Sequence, residues 1–75
     1  MEKILDLSRT VYDLCRENPE VIDIMKDLGF ESITDPVMLN SAGRFVTIPK
    51  GAVMKGIELG KIKEEFIRRG YSIRG

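Results

Sequence analysis

The chain has no histidine, no tryptophan and a single cysteine among its 75 residues. Without histidine it lacks the usual general base near neutral pH and the commonest metal ligand, so histidine-dependent hydrolase triads are excluded. One cysteine cannot form an intramolecular disulfide, which is typical of a chain kept in a reducing cytoplasm. No apolar run approaches the roughly 20 residues that a membrane-spanning helix needs. We therefore expect a cytoplasmic protein that is not an enzyme, with no membrane partner, no metal site and no cofactor.

Length and composition predict one small globular domain, residues 1–75. Hydrophobic residues make up 43% of the chain and charged residues 32%, which is ordinary for a folded protein. The net charge is zero, but residues 1–35 carry nine acids and four bases, net −5, and residues 36–75 carry three acids and eight bases, net +5. We interpret this asymmetry as attraction between the two halves of one fold; the alternative is that it steers a charged partner.

Two helix start signals and one stop signal lie close together in the first half of the chain. Thr10 is a favoured N-cap and predicts a helix of about two turns. Asn18 and Pro19 end that helix and begin another, because proline disrupts a helix that precedes it but suits the first position of a new one. The second helix is predicted to run to Leu28, where Gly29 can adopt the left-handed conformation that ends a helix. These signals predict a helical hairpin.

The sulfur-containing side chains are interpreted as packing residues. Cys15 lies on the apolar stripe of the first helix, and the neighbouring Arg16 points elsewhere, so the electropositive setting of a reactive thiol is missing. Met25 and Met38 fall on apolar helix faces, and Met54 follows a valine. Core filling is the simpler account of all three, in preference to soft-metal binding.

The middle of the chain is predicted less simply. Asp35 and Pro36 repeat the helix start signal and predict a short helix. Arg44–Ile48 is the most strand-like segment. Alternatively, Thr47 caps a helical turn over Pro49–Lys55.

The final helix is predicted from Leu59 to Arg69, with a glycine after it. Its buried stripe is predicted to consist of Leu59, Ile62, Phe66 and Ile67. Apolar and polar residues alternate over 71–74, which allows the tail to pair with Ile4–Leu7 as a two-stranded ribbon. The chain is therefore predicted to be an all-α domain of four or five short helices.

One segment, Asn40–Lys55, is a candidate ligand site. It concentrates glycines, small residues and cations, and its candidate binding residues are Asn40, Gly43, Arg44 and Lys50. Glycine lets backbone amides approach a ligand, and a helix beginning near Thr47 would favour an anion. The segment lacks the strand–loop–helix context of a phosphate loop. The alternative is that the glycines only serve the turns between short helices.

Nucleic acid is disfavoured as a partner. Bases and acids alternate on the final helix: the bases are Lys61, Lys63, Arg68 and Arg69, and the acids are Glu58, Glu64 and Glu65. A face that follows a phosphate backbone should not be half neutralised in this way.

Several segments resemble those of a small bacterial family. They are Thr10–Leu14, Asn18–Ile24, Leu28–Phe30, Asn40–Arg44 and the closing Lys61–Tyr71. The family is a domain of unknown function, and part of it is described as the redox-disulfide domain associated with hybrid cluster protein. The resemblance implies a compact, all-helical orthogonal bundle. In related chains the domain stands alone or precedes hemerythrin-like and sensor modules.

The chain departs from the redox branch of that family at one place. That branch carries a pair of cysteines just after the Leu-Gly-aromatic turn, whereas this chain reads Phe30-Glu-Ser-Ile-Thr34, with no cysteine. Cys15 lies elsewhere and cannot replace the pair. The chain therefore resembles the cysteine-free branch, and disulfide chemistry is not carried over to it.

These observations favour a noncatalytic binding or regulatory module that acts by protein–protein interaction, with its partner unidentified and its oligomeric state open. The alternative is a domain that binds a small anionic ligand at Asn40–Lys55. A redox accessory role is the third interpretation, and the missing cysteine pair disfavours it.

Overall fold

The computed structural model describes residues 3–75, so the predicted domain of residues 1–75 begins two residues before the described range. In that range a strand is followed by six α-helices and a second strand, with a 3₁₀ turn between the fourth and fifth helices. The elements are β1 (Lys3–Asp6), α1 (Val11–Glu17), α2 (Glu20–Asp27), α3 (Glu31–Thr34), α4 (Pro36–Asn40), the 3₁₀ turn Ala42–Arg44, α5 (Ile48–Lys55), α6 (Leu59–Arg68) and β2 (Tyr71–Arg74). The predicted all-α class with a terminal ribbon is confirmed, with six α-helices in residues 3–75 in place of the predicted four or five. None of the helices in residues 3–75 is long and apolar enough to cross a membrane.

The predicted hairpin of α1 and α2 is confirmed together with its capping residues. The Thr10 hydroxyl accepts a hydrogen bond from the Asp13 amide at 3.2 Å. The Asn18 side-chain oxygen accepts one from the Glu20 amide, also at 3.2 Å, and so caps α2 across the intervening proline. Gly29 follows α2 with φ of +106°, a conformation that residues with an L side chain rarely adopt.

The two alternatives for the middle of the chain are resolved in favour of a helix. The Thr47 hydroxyl accepts a hydrogen bond from the Lys50 amide at 3.3 Å and caps α5. Arg44–Ile48 does not form a strand, because its first residue closes the 3₁₀ turn and its last begins α5. Only an isolated bridge between Thr10 and Thr47 remains of the extended pairing in this segment.

The terminal strands pair in parallel. Lys3 lies opposite Tyr71 and Leu5 lies opposite Ile73. The ladder continues past β1, where the Leu7 amide donates to the Arg74 carbonyl at 2.7 Å. The predicted ribbon is thus present, displaced by one residue at β1, and it fastens the two ends of the described chain to each other.

In the described residues, one cluster of buried apolar side chains lies between the ribbon and the helices. Its members are Leu5, Leu7, Val11, Leu14, Cys15, Val21, Ile24, Met25, Phe30, Val46, Ile48, Ala52, Ile62, Phe66 and Tyr71. The Phe66 and Tyr71 rings meet edge to face, with centroids 5.2 Å apart. Ile67 was predicted to be buried, but its side chain is 57% exposed. The buried stripe of α6 is centred on Ile62 and Phe66, and Ile67 lies about 100° around the helix from Phe66.

An ion-pair network on α6 predicts a loss of stability in acid. Glu65 accepts hydrogen bonds from Arg68 at 2.8 Å and from Arg69 at 2.6 Å, and Arg69 also reaches Asp27 on α2 at 3.0 Å. The hydrogen bonds from Arg68 and Arg69 lower the pKa of Glu65 below its usual 4.5, and the bond from Arg68 contributes most. A carboxylate with a lowered pKa stabilises the fold above its unfolded-state pKa and loses that contribution as the pH falls through the lower folded value.

We expect Glu65→Gln to be less stable than the wild type at pH 7 and to lose less stability between pH 5 and pH 3. Urea unfolding at several pH values measures both quantities. Hydrogen bonds from Ser8 also lower the pKa of Asp6. This effect is present in both proteins, so it contributes equally to both pH curves. Parallel pH curves for the two proteins would contradict the assignment.

Candidate functional site

Two of the four predicted ligand-binding residues are used by the fold itself. Asn40 ends α4, and its side-chain amide donates to the Pro36 carbonyl at 2.8 Å. Gly43 is buried in the 3₁₀ turn, where an added Cβ would lie 3.0 Å from a terminal methyl of Leu39. That distance is tighter than ordinary side-chain contacts, so the glycine permits close packing of the turn on α4.

The two predicted cations lie on different elements. The Arg44 guanidinium carbon is 4.6 Å from the centre of the Tyr12 ring, within cation–π range. Lys50 lies in the first turn of α5, and its backbone amide is already bonded to Thr47. In residues 3–75 neither cation forms a salt bridge. Asn40, Gly43 and Arg44 thus lie at the end of α4 and in the 3₁₀ turn, whereas Lys50 lies on α5. Anion binding by these four residues stays a prediction.

A mainly apolar cleft, here called the α4–α5 cleft, opens beside the 3₁₀ turn. Its volume is about 200 Å³. It is lined by Val11, Phe30, Ser32, Ile33, Met38, Ala42, Val46, Gly51, Met54 and Lys55, and so by none of the four predicted residues. A Cβ at Gly51 would lie 3.4 Å from the Phe30 ring. Glycine at this position keeps α5 close to Phe30.

Exposed apolar side chains are concentrated in the segment from α4 to α5, which supplies more than half of the cleft's lining. Seven large apolar side chains are exposed in residues 3–75, and five of them lie between residues 37 and 54. We call these five the apolar face: Val37, Met38, Phe45, Val53 and Met54. Met38 and Met54 line the cleft itself, and Val53 lines a shallower groove on the other side of α5.

The prediction that the methionines fill the core is therefore correct for Met25 and wrong for two others. Met25 is fully buried, whereas Met38 and Met54 are exposed. The buried stripe of α5 is formed by Ile48, Gly51 and Ala52, so Val53 and Met54 fall outside it. The sequence signal for this surface is an apolar residue that falls outside the helical stripe of its neighbours, as Val53 and Met54 do on α5.

The segment of the chain that contains the apolar face carries positive charge and no negative charge. No Asp or Glu occurs from residue 36 to residue 57, a stretch that contains Arg44, Lys50 and Lys55. The Lys55 side chain lines the cleft. Lys50 precedes Met54 by four residues and is its neighbour on the surface of α5. Two lysines thus flank Met54.

Cys15 is confirmed as a packing residue. Its side chain is 3% exposed, and burial raises the pKa of the thiol to about 11. A thiol with such a pKa is almost entirely protonated near neutral pH, and the protonated form is a poor nucleophile. No three acidic or cysteine side chains within residues 3–75 are grouped closely enough to hold a metal ion.

We expect Cys15 to react with a thiol reagent at least about 100-fold more slowly in the native protein than in denaturant, because both burial and the raised pKa suppress attack. Absorbance with a chromogenic aryl disulfide measures both rates. A protein carrying Cys15→Ser and Ser72→Cys supplies an exposed thiol for comparison. Equal rates for Cys15 in the native and denatured protein would show that the thiol is accessible.

The comparisons with known proteins identify the family. The sequence profile of the domain of unknown function DUF1858 matches residues 5–63. The chain belongs to this family. This DUF1858 domain is also similar to the conserved domain protein from Streptococcus pneumoniae TIGR4, whose crystal structure it matches with a TM-score of 0.94 and 33% sequence identity. That match covers 100% of this chain and 95% of the other. No functionally curated protein matches the DUF1858 domain.

Proposed function

We propose that this DUF1858 domain is a noncatalytic module that binds a protein partner through its apolar face, in the cytoplasm. The observation that carries the proposal is the pair of exposed methionines, Met38 and Met54, that line the α4–α5 cleft, with the exposed Val37, Phe45 and Val53 on the same segment of the chain. Contiguous exposed apolar surface is unfavourable in water, and soluble monomers generally keep it where a partner or ligand covers it.

The side chains at the cleft suit adaptable contact with a protein. Met38 and Met54 stand at its walls, and methionine can change conformation to fill irregular gaps, which makes it common at protein-binding surfaces. Phe45 is an exposed aromatic ring on the turn leading into α5, and aromatic side chains are enriched in interface cores. A partner covering this face would bury both residue types.

The noncatalytic part of the proposal is supported by the residues themselves. The chain has no histidine, and the Cys15 thiol is buried with a raised pKa. The cleft is lined by apolar side chains except for Ser32 and Lys55, which supplies no acid–base pair. The redox alternative has little support, because the one thiol of the chain is buried in the core.

The anionic-ligand alternative has one observation in its favour and two against it. Arg44 and Lys50 lie in the acid-free stretch, so their charge is available to an anion. However, the Asn40 side-chain amide is bonded to Pro36 and the Lys50 backbone amide to Thr47. The protein-binding interpretation therefore has the better support.

A capture experiment with matched variants tests the proposal. The bait proteins are the wild type, a double variant with Met38→Gln and Met54→Gln, and an Ile67→Gln control that makes the same kind of change at an exposed site on α6. The native cytoplasm is passed over each, and bound proteins are quantified by mass spectrometry. We expect a partner that the wild type and the control retain equally and that the double variant retains at least about tenfold less, equivalent to about 1.4 kcal/mol. Capture that is the same with all three baits would overturn the assignment of the apolar face.

A further inference from the structure

We infer that the partner contributes an acidic amphipathic helix, which inserts one apolar side chain into the α4–α5 cleft and places carboxylates against Lys50 and Lys55. This inference rests on the proposed function and specifies the chemistry of the partner. Three properties of the surface lead to it: the size of the cleft, the elements that form its walls, and the sign of the charge at its edge.

The size of the cleft favours a side chain over a free small molecule. Sites for drug-sized ligands commonly have volumes of roughly 300–1,000 Å³. The α4–α5 cleft has about 200 Å³, and its floor is closed by the Phe30 ring packed against Gly51. A space of this size suits a single leucine, methionine or phenylalanine side chain, the kind of anchor that dominates many protein interfaces.

The walls of the cleft favour a helix as the segment that carries this anchor. The lining residues belong to α1, α3, α4, α5, the 3₁₀ turn and the connections beside them, and none belongs to β1 or β2. The cleft therefore offers no strand edge that an extended peptide could extend. Grooves between helices accept the apolar face of an amphipathic helix, whose anchors recur three or four residues apart.

The charge at the edge of the cleft selects an acidic partner. Lys55 lines the cleft and Lys50 lies one helical turn before Met54, so an apolar anchor beside Met54 brings its flanking residues close to both ammonium groups. No Asp or Glu occurs from residue 36 to residue 57, and the acids next to the lining residues, Glu31 and Asp35, lie on the α3 side, so carboxylates on the partner would meet attraction on the α5 side. Basic flanking residues would meet like charge, which is costly at an interface.

Selection of peptides tests the inference while the partner itself is still unidentified. A displayed library of random peptides of about 16 residues, long enough to become helical on binding, is selected against the full chain. The dissociation constants of the enriched peptides are then measured by fluorescence anisotropy at low and high salt. We expect enriched sequences with apolar residues at spacings of three and four, a clear excess of Asp and Glu, and binding that weakens as salt screens the charges.

Matched variants separate the two parts of the inference. Changing Lys50→Glu and Lys55→Glu together is expected to weaken binding at least tenfold, whereas the same two changes at exposed Lys26 and Lys61 should alter it less than twofold. The double methionine-to-glutamine variant should also weaken binding at least tenfold. Circular dichroism confirms that each variant remains folded.

The outcomes distinguish failure of the inference from failure of the proposed function. If the enriched peptides bind the methionine variant more weakly but are neutral or basic, the acidic partner is overturned. The apolar face then remains the proposed docking surface. Peptides that bind the methionine variant as tightly as the wild type overturn both. If no peptide is enriched, the helical partner is overturned, and capture of a folded protein by the apolar face in the cytoplasm experiment would still support the proposed function.

Discussion

Replacing Phe66 with alanine is expected to lower the free energy of unfolding by about 3–5 kcal/mol, the usual cost of removing a buried aromatic ring. Phe66 is fully buried in α6 and contacts the Tyr71 ring edge to face. At roughly 0.05–0.15 kcal/mol per residue, a domain of this length has a total stability of only about 4–11 kcal/mol. The variant should therefore lose a large share of the total stability, as measured by urea titration followed by circular dichroism.

The chain supplies its own control for this substitution. Phe45 is 79% exposed, so Phe45→Ala makes the same chemical change at the surface and should alter the free energy of unfolding by no more than about 0.5 kcal/mol. Phe66→Leu keeps most of the buried volume and is expected to cost about 1–2 kcal/mol. If Phe66→Ala and Phe45→Ala were equally mild, the core would not be centred where the structure places it.

Features determined by a few neighbouring residues can be predicted from the sequence. Thr10, Asn18 and Thr47 are recognisable as caps because a side-chain oxygen at these positions satisfies a free amide only two or three residues away. The end of α2 at Gly29 follows from the left-handed conformation that glycine allows. Each of these features is determined within one helical turn, so it can be predicted without knowledge of the tertiary fold.

Features determined by tertiary packing could not be predicted in the same way. Helix α3 is only four residues long and shows no apolar periodicity, and its Thr34 side chain is buried by the rest of the fold. The parallel direction of the ribbon is also invisible to local patterns, because alternation of polar and apolar residues is the same in both directions. Ile67 matches the helical period but lies at the edge of the stripe, where only the neighbouring elements decide burial.

The candidate site shows the same division. The glycines and cations of the sequence indicate Asn40–Lys55, and the structure places the α4–α5 cleft along this segment. The lining itself combines Phe30, Met38, Gly51 and residues further apart, which meet only after the helices pack. The local pattern therefore overlaps part of the lining, and ligand binding at Asn40–Lys55 stays a prediction. The apolar character of the surface required the relative positions of α4 and α5.

Deleting residues 71–75 is expected to have an effect at least as large as that of Phe66→Ala. The deletion removes β2, and with it the buried Tyr71 ring, whose hydroxyl accepts a hydrogen bond from the Asn18 side chain at 2.8 Å. It also uncovers Leu5 and Phe66 and leaves the backbone of β1 unpaired. Loss of the ring, its aromatic contact and the strand should together cost at least about 4 kcal/mol. We expect the truncated chain to show little helical circular dichroism and no cooperative urea transition.

Single substitutions in β2 divide this loss into its parts. Tyr71→Phe keeps the ring and removes one hydrogen bond, at a cost of about 0.5–1.5 kcal/mol, whereas Tyr71→Ala should cost about 3–5 kcal/mol. Ser72→Ala changes an exposed residue of the same strand and should be nearly neutral. A truncated chain that still unfolds cooperatively would show that the helices are stable without the ribbon.

The same reasoning applies to the boundaries of the family match. The DUF1858 profile ends at residue 63, yet Phe66 and Tyr71 lie beyond it and are buried against residues within it. A chain cut at residue 63 would lack both rings and half of α6, and we expect it to be unfolded. The similarity to the Streptococcus pneumoniae structure extends over the whole chain, including this final segment. The folding unit therefore includes the closing helix and strand, whose contribution is tertiary packing that the matched segment does not contain.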